Sequence, residues 1–175
     1  MRLIGLKGAG NKIAPAAVDA ALDRLPPPSW GHPRPSVLSV TQATECGTVY
    51  SIAELTALTS AAKSRGLAVH MDGARFANAV AALGCSPAEI TWKAGVDALS
   101  FGLTKNGAFM AEAVVLFDPA GAEAVTWRSK RAGHVVSKAR FMAAQFLAML
   151  EDGHWRAPPA LANARPRAWP GIAPP

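Results

Sequence analysis

The feature that most constrains the fold is the alternation of short apolar runs with segments that carry helix signals. Apolar runs occupy residues 37–41, 67–71, 97–101 and 111–117, and a capping box, Ser51 with Glu54, opens the segment between the first two. Short apolar runs bounded by turn residues are typical of buried strands. Strands that alternate with helices predict an α/β fold, in which a mainly parallel sheet is flanked by helices on both faces.

Polar residues follow two of these predicted strands where each of them ends. Asp72 and Gly73 end the run at 67–71, and Lys105 lies just beyond the run at 97–101. The spacing suits one strand–helix–strand unit, which takes roughly 30 residues. Ligands of open α/β sheets bind outside the carboxyl ends of the strands. We therefore expect a carboxylate and an amine to open onto the same crevice.

This pair of groups has a specific chemistry. Among the apolar and small neighbours of Lys105, loss of water would favour the neutral amine, which can attack a carbonyl and form a Schiff base. A pyridoxal phosphate enzyme needs such a lysine, together with an acidic partner for the pyridine nitrogen. Taken singly, Lys105 could be a solvated loop lysine and Asp72 an ordinary Asp-Gly turn. Their combination favours the functional interpretation.

Three segments resemble one enzyme family. Residues 70–78 (HMDGARFAN), 100–107 (SFGLTKNG) and 111–118 (AEAVVLFD) are similar to the low-specificity L-threonine aldolases, and the resemblance runs from about Arg2 to Trp155. It implies the aspartate aminotransferase-like fold (type I) and pyridoxal 5'-phosphate as cofactor. The implied activity is that of a carbon–carbon lyase. Such an enzyme cleaves L-threonine, L-allo-threonine and related β-hydroxy-α-amino acids to glycine and an aldehyde.

The resemblance also implies roles for individual residues. Lys105 becomes the Schiff-base lysine and Asp72 the partner of the pyridine nitrogen. Arg75 becomes a cofactor-binding residue near the cofactor oxygen and the contact to the substrate carboxylate, which suits the fork of a guanidinium group. Thr104 could position the cofactor or its phosphate, although a packed threonine is almost as good an interpretation.

Other polar residues near the predicted crevice have less defined roles. The resemblance places Gln42, Thr44 and Glu45 at its border without separate assignments. We predict that His70 is a satisfied core histidine that points away from Asp72.

A basic cluster, defined as Lys130, Arg131, His134 and Lys138, lies in the region that approaches a neighbouring subunit in this family. It is interpreted either as a phosphate contact across the interface of a homodimer or homotetramer, or as a solvated basic face.

The domain prediction assigns residues 1–155 to part of a cofactor-binding large domain and residues 156–175 to a disordered tail rich in proline and arginine. In the family, the ring-stacking aromatic residue and the glycine-rich phosphate loop precede this segment, and a second arginine follows it. We therefore expect the 175-residue chain by itself to be impaired or inactive. The alternatives are another pyridoxal phosphate β-eliminating lyase or aminotransferase of the same fold, and a non-catalytic remnant.

Composition argues against several other classes of protein. The net charge is +6, but the basic residues form no run and no aromatic stacking platform, so we do not expect nucleic-acid binding. No apolar segment is long enough to suggest a membrane protein. Cys46 and Cys85 have neither metal-ligand nor disulfide spacing, which fits a cytoplasmic protein without a metal site.

Overall fold

The computed structural model describes residues 3–164, which build one four-stranded sheet and six α-helices. The strands are β1 (Val37–Thr41), β2 (Ala68–Gly73), β3 (Ala98–Gly102) and β4 (Glu112–Leu116). The helices are α1 (Pro15–Asp23), α2 (Ile52–Ser64), α3 (Phe76–Leu83), α4 (Ala122–Arg131), α5 (Ala139–Leu150) and α6 (Ala157–Ala164). The strand order is β1-β2-β3-β4; the first three strands are parallel and β4 is antiparallel. The predicted α/β fold with a mainly parallel sheet is confirmed.

Helix α2 begins at the predicted capping box. The Ser51 hydroxyl accepts a hydrogen bond from the Glu54 backbone N–H at 3.2 Å, and the Glu54 carboxylate accepts one from the Ser51 backbone N–H at 2.8 Å. Both bonds satisfy backbone donors that the first helical turn leaves unpaired. Leu55 and Leu58 on the inner side of this helix are fully buried, so the cap helps to hold part of the core.

Replacing Ser51 by alanine should lower the free energy of unfolding by about 1 kcal/mol, because one helix donor loses its partner. Urea unfolding followed by circular dichroism measures this change. Ser64→Ala is the matched control: the Ser64 hydroxyl donates to the Ala61 carbonyl at the other end of the helix. An equal loss in both variants would contradict a specific role of the cap.

The core lies on one face of the sheet. Alternate strand residues point into it and are buried: Leu38, Val40, Val69, Met71, Leu99 and Phe101. Helices α2 and α3 cover this face through side chains such as Leu58 and Phe76. The rings of Phe76, Phe101 and Trp155 pack together at centroid separations of 5.8 to 6.4 Å, beneath the end of β3.

The prediction that helices flank both faces is wrong for the described part of the chain. The opposite face, here called the open face, carries Ser39, His70, Asp72 and Ser100, none of which is buried. In these strands buried and polar or small residues alternate with a period of two. That pattern indicates a sheet that is buried on one side.

The prediction of a disordered tail is wrong for Ala157–Ala164, which form helix α6. Pro158 and Pro159 stand in its first turn, where a missing N–H costs no intrahelical hydrogen bond. The helix packs on α3, and the Asn163 side chain bonds both the side chain and the carbonyl of Asn78 at 3.1 and 3.0 Å. Residues 165–175 of the predicted tail lie outside the described residues.

No helix within residues 3–164 has both the length and the apolarity that a membrane span requires.

Candidate active site

The predicted site residues lie at one edge of the sheet. Strands β1, β2 and β3 run parallel, so their carboxyl ends meet there. Asp72 stands near the end of β2, in register with Thr41 on one side and Ser100 on the other. Lys105 lies in the 3-10 turn Thr104–Asn106, three residues beyond the end of β3.

Asp72 lies on the open face and is half-buried. Its Oδ1 accepts a hydrogen bond of 3.0 Å from the backbone N–H of Ala74, which orients the carboxylate within the turn that follows β2. No donor from residues 3–164 bonds its Oδ2. The carboxylate is therefore held by one oxygen and presents the other.

The turn that carries Lys105 is anchored on both sides of the lysine. Leu103 is fully buried, and its backbone N–H donates to the carbonyl of Ala111 at 2.9 Å. Asn106 is also buried and donates from Nδ2 to the carbonyl of Trp155 at 2.6 Å. Lys105 itself is exposed, so the expected apolar surroundings are not found in the described chain. The turn is fixed while the amine faces solvent.

Thr104 has a structural contact. Its hydroxyl oxygen accepts the backbone N–H of Ala111 at 3.2 Å, where the chain enters β4. This bond closes the loop between the lysine turn and the next strand. The role of Thr104 toward a cofactor remains a prediction.

Two glycines bring the Asp72 loop and the end of β3 together. A Cβ atom on Gly102 would lie 3.2 Å from the Cα of Ala74 and 2.5 Å from a carboxylate oxygen of Glu112. A Cβ atom on Gly73 would lie 2.8 Å from the carbonyl oxygen of Ser100. Larger residues at either position would push the two strand ends apart. The glycines thus set the separation between the carboxylate and the lysine turn.

Arg75 bonds a residue to which the sequence assigned no role. Its Nη1 donates to Oε1 of Glu45 at 2.8 Å, which joins the loops after β1 and β2. The hydrogen bond and the charge of Arg75 lower the pKa of the Glu45 carboxyl below its ordinary value, and the charge of Lys105 acts in the same direction. Glu45, Arg75 and Lys105 therefore form one charged group at the strand ends.

Gln42 and Thr44, which were predicted to border the crevice, are buried. The Gln42 side chain donates to the Tyr50 carbonyl at 2.9 Å and accepts from the Tyr50 backbone N–H at 3.0 Å. The hydroxyls of Thr44 and Thr48 bond each other at 2.6 Å. These bonds brace the loop on which Glu45 stands.

The prediction that His70 points away from Asp72 is wrong. Residues two apart on a strand share a face, so His70 and Asp72 both lie on the open face. The two ring nitrogens of His70 bond the hydroxyls of Ser39 and Ser100, each at 2.9 Å. His70 is satisfied as predicted, but it is half-buried on the sheet surface rather than placed in the core.

The four residues of the basic cluster are all exposed, at the end of α4 and in the segment before α5. Lys130 lies over the ring of Trp127, 5.4 Å from its centroid. Whether the cluster reaches a neighbouring subunit stays a prediction.

Comparison with known proteins defines the class of this protein. Residues 1–170 match the model of the beta-eliminating lyase family, and the chain therefore belongs to that family. Within it, the chain is similar to the low specificity L-threonine aldolase of a Pseudomonas species, with 47% identity over 163 residues that make up 93% of this chain and 46% of the relative. It is also similar to the low specificity L-threonine aldolase of Pseudomonas aeruginosa, with 50% identity over 146 residues. These residues make up 83% of this chain and 41% of the relative.

A solved structure shares the fold. The threonine aldolase of Leishmania major superposes with a TM-score of 0.82 at 24% identity, over 92% of this chain and 47% of that one. The chain thus spans about half the length of the proteins it matches. The sheet and its flanking helices correspond to part of a fold type I enzyme.

Proposed function

We propose that the chain is part of a pyridoxal 5'-phosphate-dependent aldolase that cleaves L-threonine, L-allo-threonine and related β-hydroxy-α-amino acids to glycine and an aldehyde. One observation carries the proposal: a lysine turn and a carboxylate loop end two neighbouring parallel strands and pack against each other through Gly73 and Gly102. The identity of 47 to 50% with two L-threonine aldolases supports the reaction class.

The residues at the strand ends fit the proposed cofactor. Asp72 presents one carboxylate oxygen that no described residue bonds, and the turn before it fixes the direction of the carboxylate. Lys105 is an exposed primary amine on an anchored turn. An acid for a pyridine nitrogen and an amine for an aldehyde are the two groups that this cofactor requires of its protein.

When bound, the cofactor supplies an aldehyde that condenses with amines and a ring that accepts electrons. Asp72 holds a proton at the ring nitrogen through its negative charge. Arg75 binds the carboxylate of the amino acid with a forked pair of N–H groups. By holding the carboxylate, Arg75 also orients the bond between Cα and Cβ. Arg75 thus contributes to the reaction by positioning the substrate and takes no part in bond making or breaking.

For the whole protein, we propose a cytoplasmic homodimer or homotetramer in which the basic cluster faces a neighbouring subunit's site. The exposure of Lys130, Arg131, His134 and Lys138 supports this role, since an exposed cationic surface can contact a phosphate. A single oligomeric species in sedimentation that dissociates on charge reversal of the cluster is the expected result.

The products test the proposed reaction. With pyridoxal phosphate and L-threonine, the whole protein should release glycine and acetaldehyde in equal amounts, measured by chromatography and an alcohol dehydrogenase assay. The family match to beta-eliminating lyases favours one alternative, elimination from the amino acid, which would give ammonia and a keto acid instead. A keto acid without ammonia would indicate transamination. Absence of all products, together with absence of a cofactor spectrum, would indicate a non-catalytic remnant.

A further inference from the structure

Glu45 is placed at the mouth of the candidate site by its contact with Arg75. The two side chains meet at 2.8 Å, and 32% of the Arg75 side chain and 71% of the Glu45 side chain remain exposed. The charge of Lys105 also contributes, less than Arg75, to lowering the pKa of the Glu45 carboxyl. A fixed negative charge therefore stands beside the two cationic residues to which the proposed function gives direct roles.

The position of Glu45 is built into the fold. Its loop is fixed at one end by the buried amide of Gln42, which bonds both backbone polar groups of Tyr50. The loop is closed by the Thr44 N–H, which donates to the Thr48 carbonyl at 2.9 Å, and by the bond between their hydroxyls. The Gln42 N–H donates to the Asp72 carbonyl at 2.9 Å, which ties this loop to β2. These hydrogen bonds fix the loop in the position from which the Glu45 carboxylate contacts Arg75.

The contact leaves part of the guanidinium free. Glu45 occupies Nη1 of Arg75, and a guanidinium has five N–H donors. The remaining donors can hold one further carboxylate, that of an amino acid. Two carboxylates then share one guanidinium, and a third carboxylate beside Glu45 would be repelled by the negative charge of Glu45.

We propose that Glu45 determines the charge of the side chain that the site accepts, and that it selects amino acids with neutral side chains over those with an acidic one. This inference rests on the proposed function, because it takes Arg75 as the anchor of the substrate carboxylate. In this proposal, the negative charge of Glu45 repels an acidic side chain and so weakens the binding of the amino acid that carries it.

The first experiment needs no cofactor. The Glu45 carboxyl is followed by carbon NMR during a pH titration of the chain, and its pKa should lie below the ordinary 4.5. In Arg75→Gln, the largest cause of the shift is lost, and the pKa should return toward 4.5. The same titration midpoint in both proteins would mean that the ion pair is absent from solution, and it would overturn the inference whatever the enzyme's reaction.

The second experiment compares ligands on the whole protein loaded with pyridoxal phosphate. Glycine and L-aspartate are titrated separately, and the dissociation constants come from the change in cofactor absorbance. In Glu45→Gln, the ratio of the aspartate to the glycine dissociation constant should fall by roughly tenfold, the order of a screened interaction between two like charges. Glu123→Gln, which removes one carboxylate from α4, is the matched control and should leave the ratio unchanged.

The outcomes separate the two proposals. A normal cofactor spectrum with an unchanged ratio in Glu45→Gln overturns the selection by charge and leaves the proposed function intact. Failure to bind pyridoxal phosphate at all contradicts the proposed function. That result also overturns the proposed selection by Glu45, even if the NMR titration finds the ion pair.

Discussion

Lys105→Ala is expected to lose all covalent attachment of pyridoxal phosphate and to lower kcat for L-threonine cleavage by at least about 10³-fold. The physical reason is that the turn Thr104–Asn106 presents Lys105 as its exposed amine, and alanine offers no nucleophile in its place. Borohydride reduction of the loaded protein, followed by peptide mapping, should find the reduced adduct on the peptide that contains residue 105. The variant should give no adduct there.

The fold of the variant should be unaffected, since the anchors of the turn are the neighbours of Lys105. Leu103 and Asn106 keep their bonds to Ala111 and Trp155, so the free energy of unfolding should change by less than about 0.5 kcal/mol. Lys93→Ala, which removes an exposed lysine of another short turn, is the matched control. An adduct that maps to another lysine, or equal trapping in Lys105→Ala, would end the proposal for this residue.

Asp72→Asn should lower kcat by about 100-fold or more while the protein still binds the cofactor. Asparagine keeps an oxygen that can accept the N–H of Ala74, so the turn after β2 survives. What it lacks is the negative charge that holds a proton at the ring nitrogen. Steady-state kinetics and the absorbance spectrum of the bound cofactor measure the two effects separately.

An exposed aspartate outside the site gives the comparison for Asp72. Asp19 pairs with Arg65 on the surface between α1 and α2, and Asp19→Asn should leave kcat within about twofold. If Asp72→Asn also kept its activity, the carboxylate would be an ordinary turn former, and the proton at the ring would need another partner.

Local patterns in the sequence were sufficient for the sheet. The strands at 37–41 and 98–102 and the cap of α2 follow from short-range signals, namely apolar runs and the serine with its glutamate three residues later. The same signals place Asp72 and Lys105 at neighbouring strand ends, because parallel strands share their carboxyl edge.

These local patterns do not predict contacts between residues that are far apart in the sequence. The residues around Glu45 do not predict its contact with Arg75, which lies 30 positions further along the chain. The two side chains meet only when the loops after β1 and β2 come together. Helix α6 packs against α3, a contact that its sequence does not predict, and its prolines stand in the first turn, where a helix tolerates them. The sheet face on which His70 lies can be predicted from the sequence, however. Side chains of a strand alternate between the two faces, which places residues 70 and 72 on the same face.

The bond between Asn106 and the Trp155 carbonyl has a consequence for the order in which the site is completed. The two residues are separated by 49 positions, and all four strands precede Trp155 in the chain. As a ribosome releases the polypeptide from its amino end, the sheet can assemble before this carbonyl exists. The loop bearing the amine thus receives this support only after all four strands of the sheet have been synthesised.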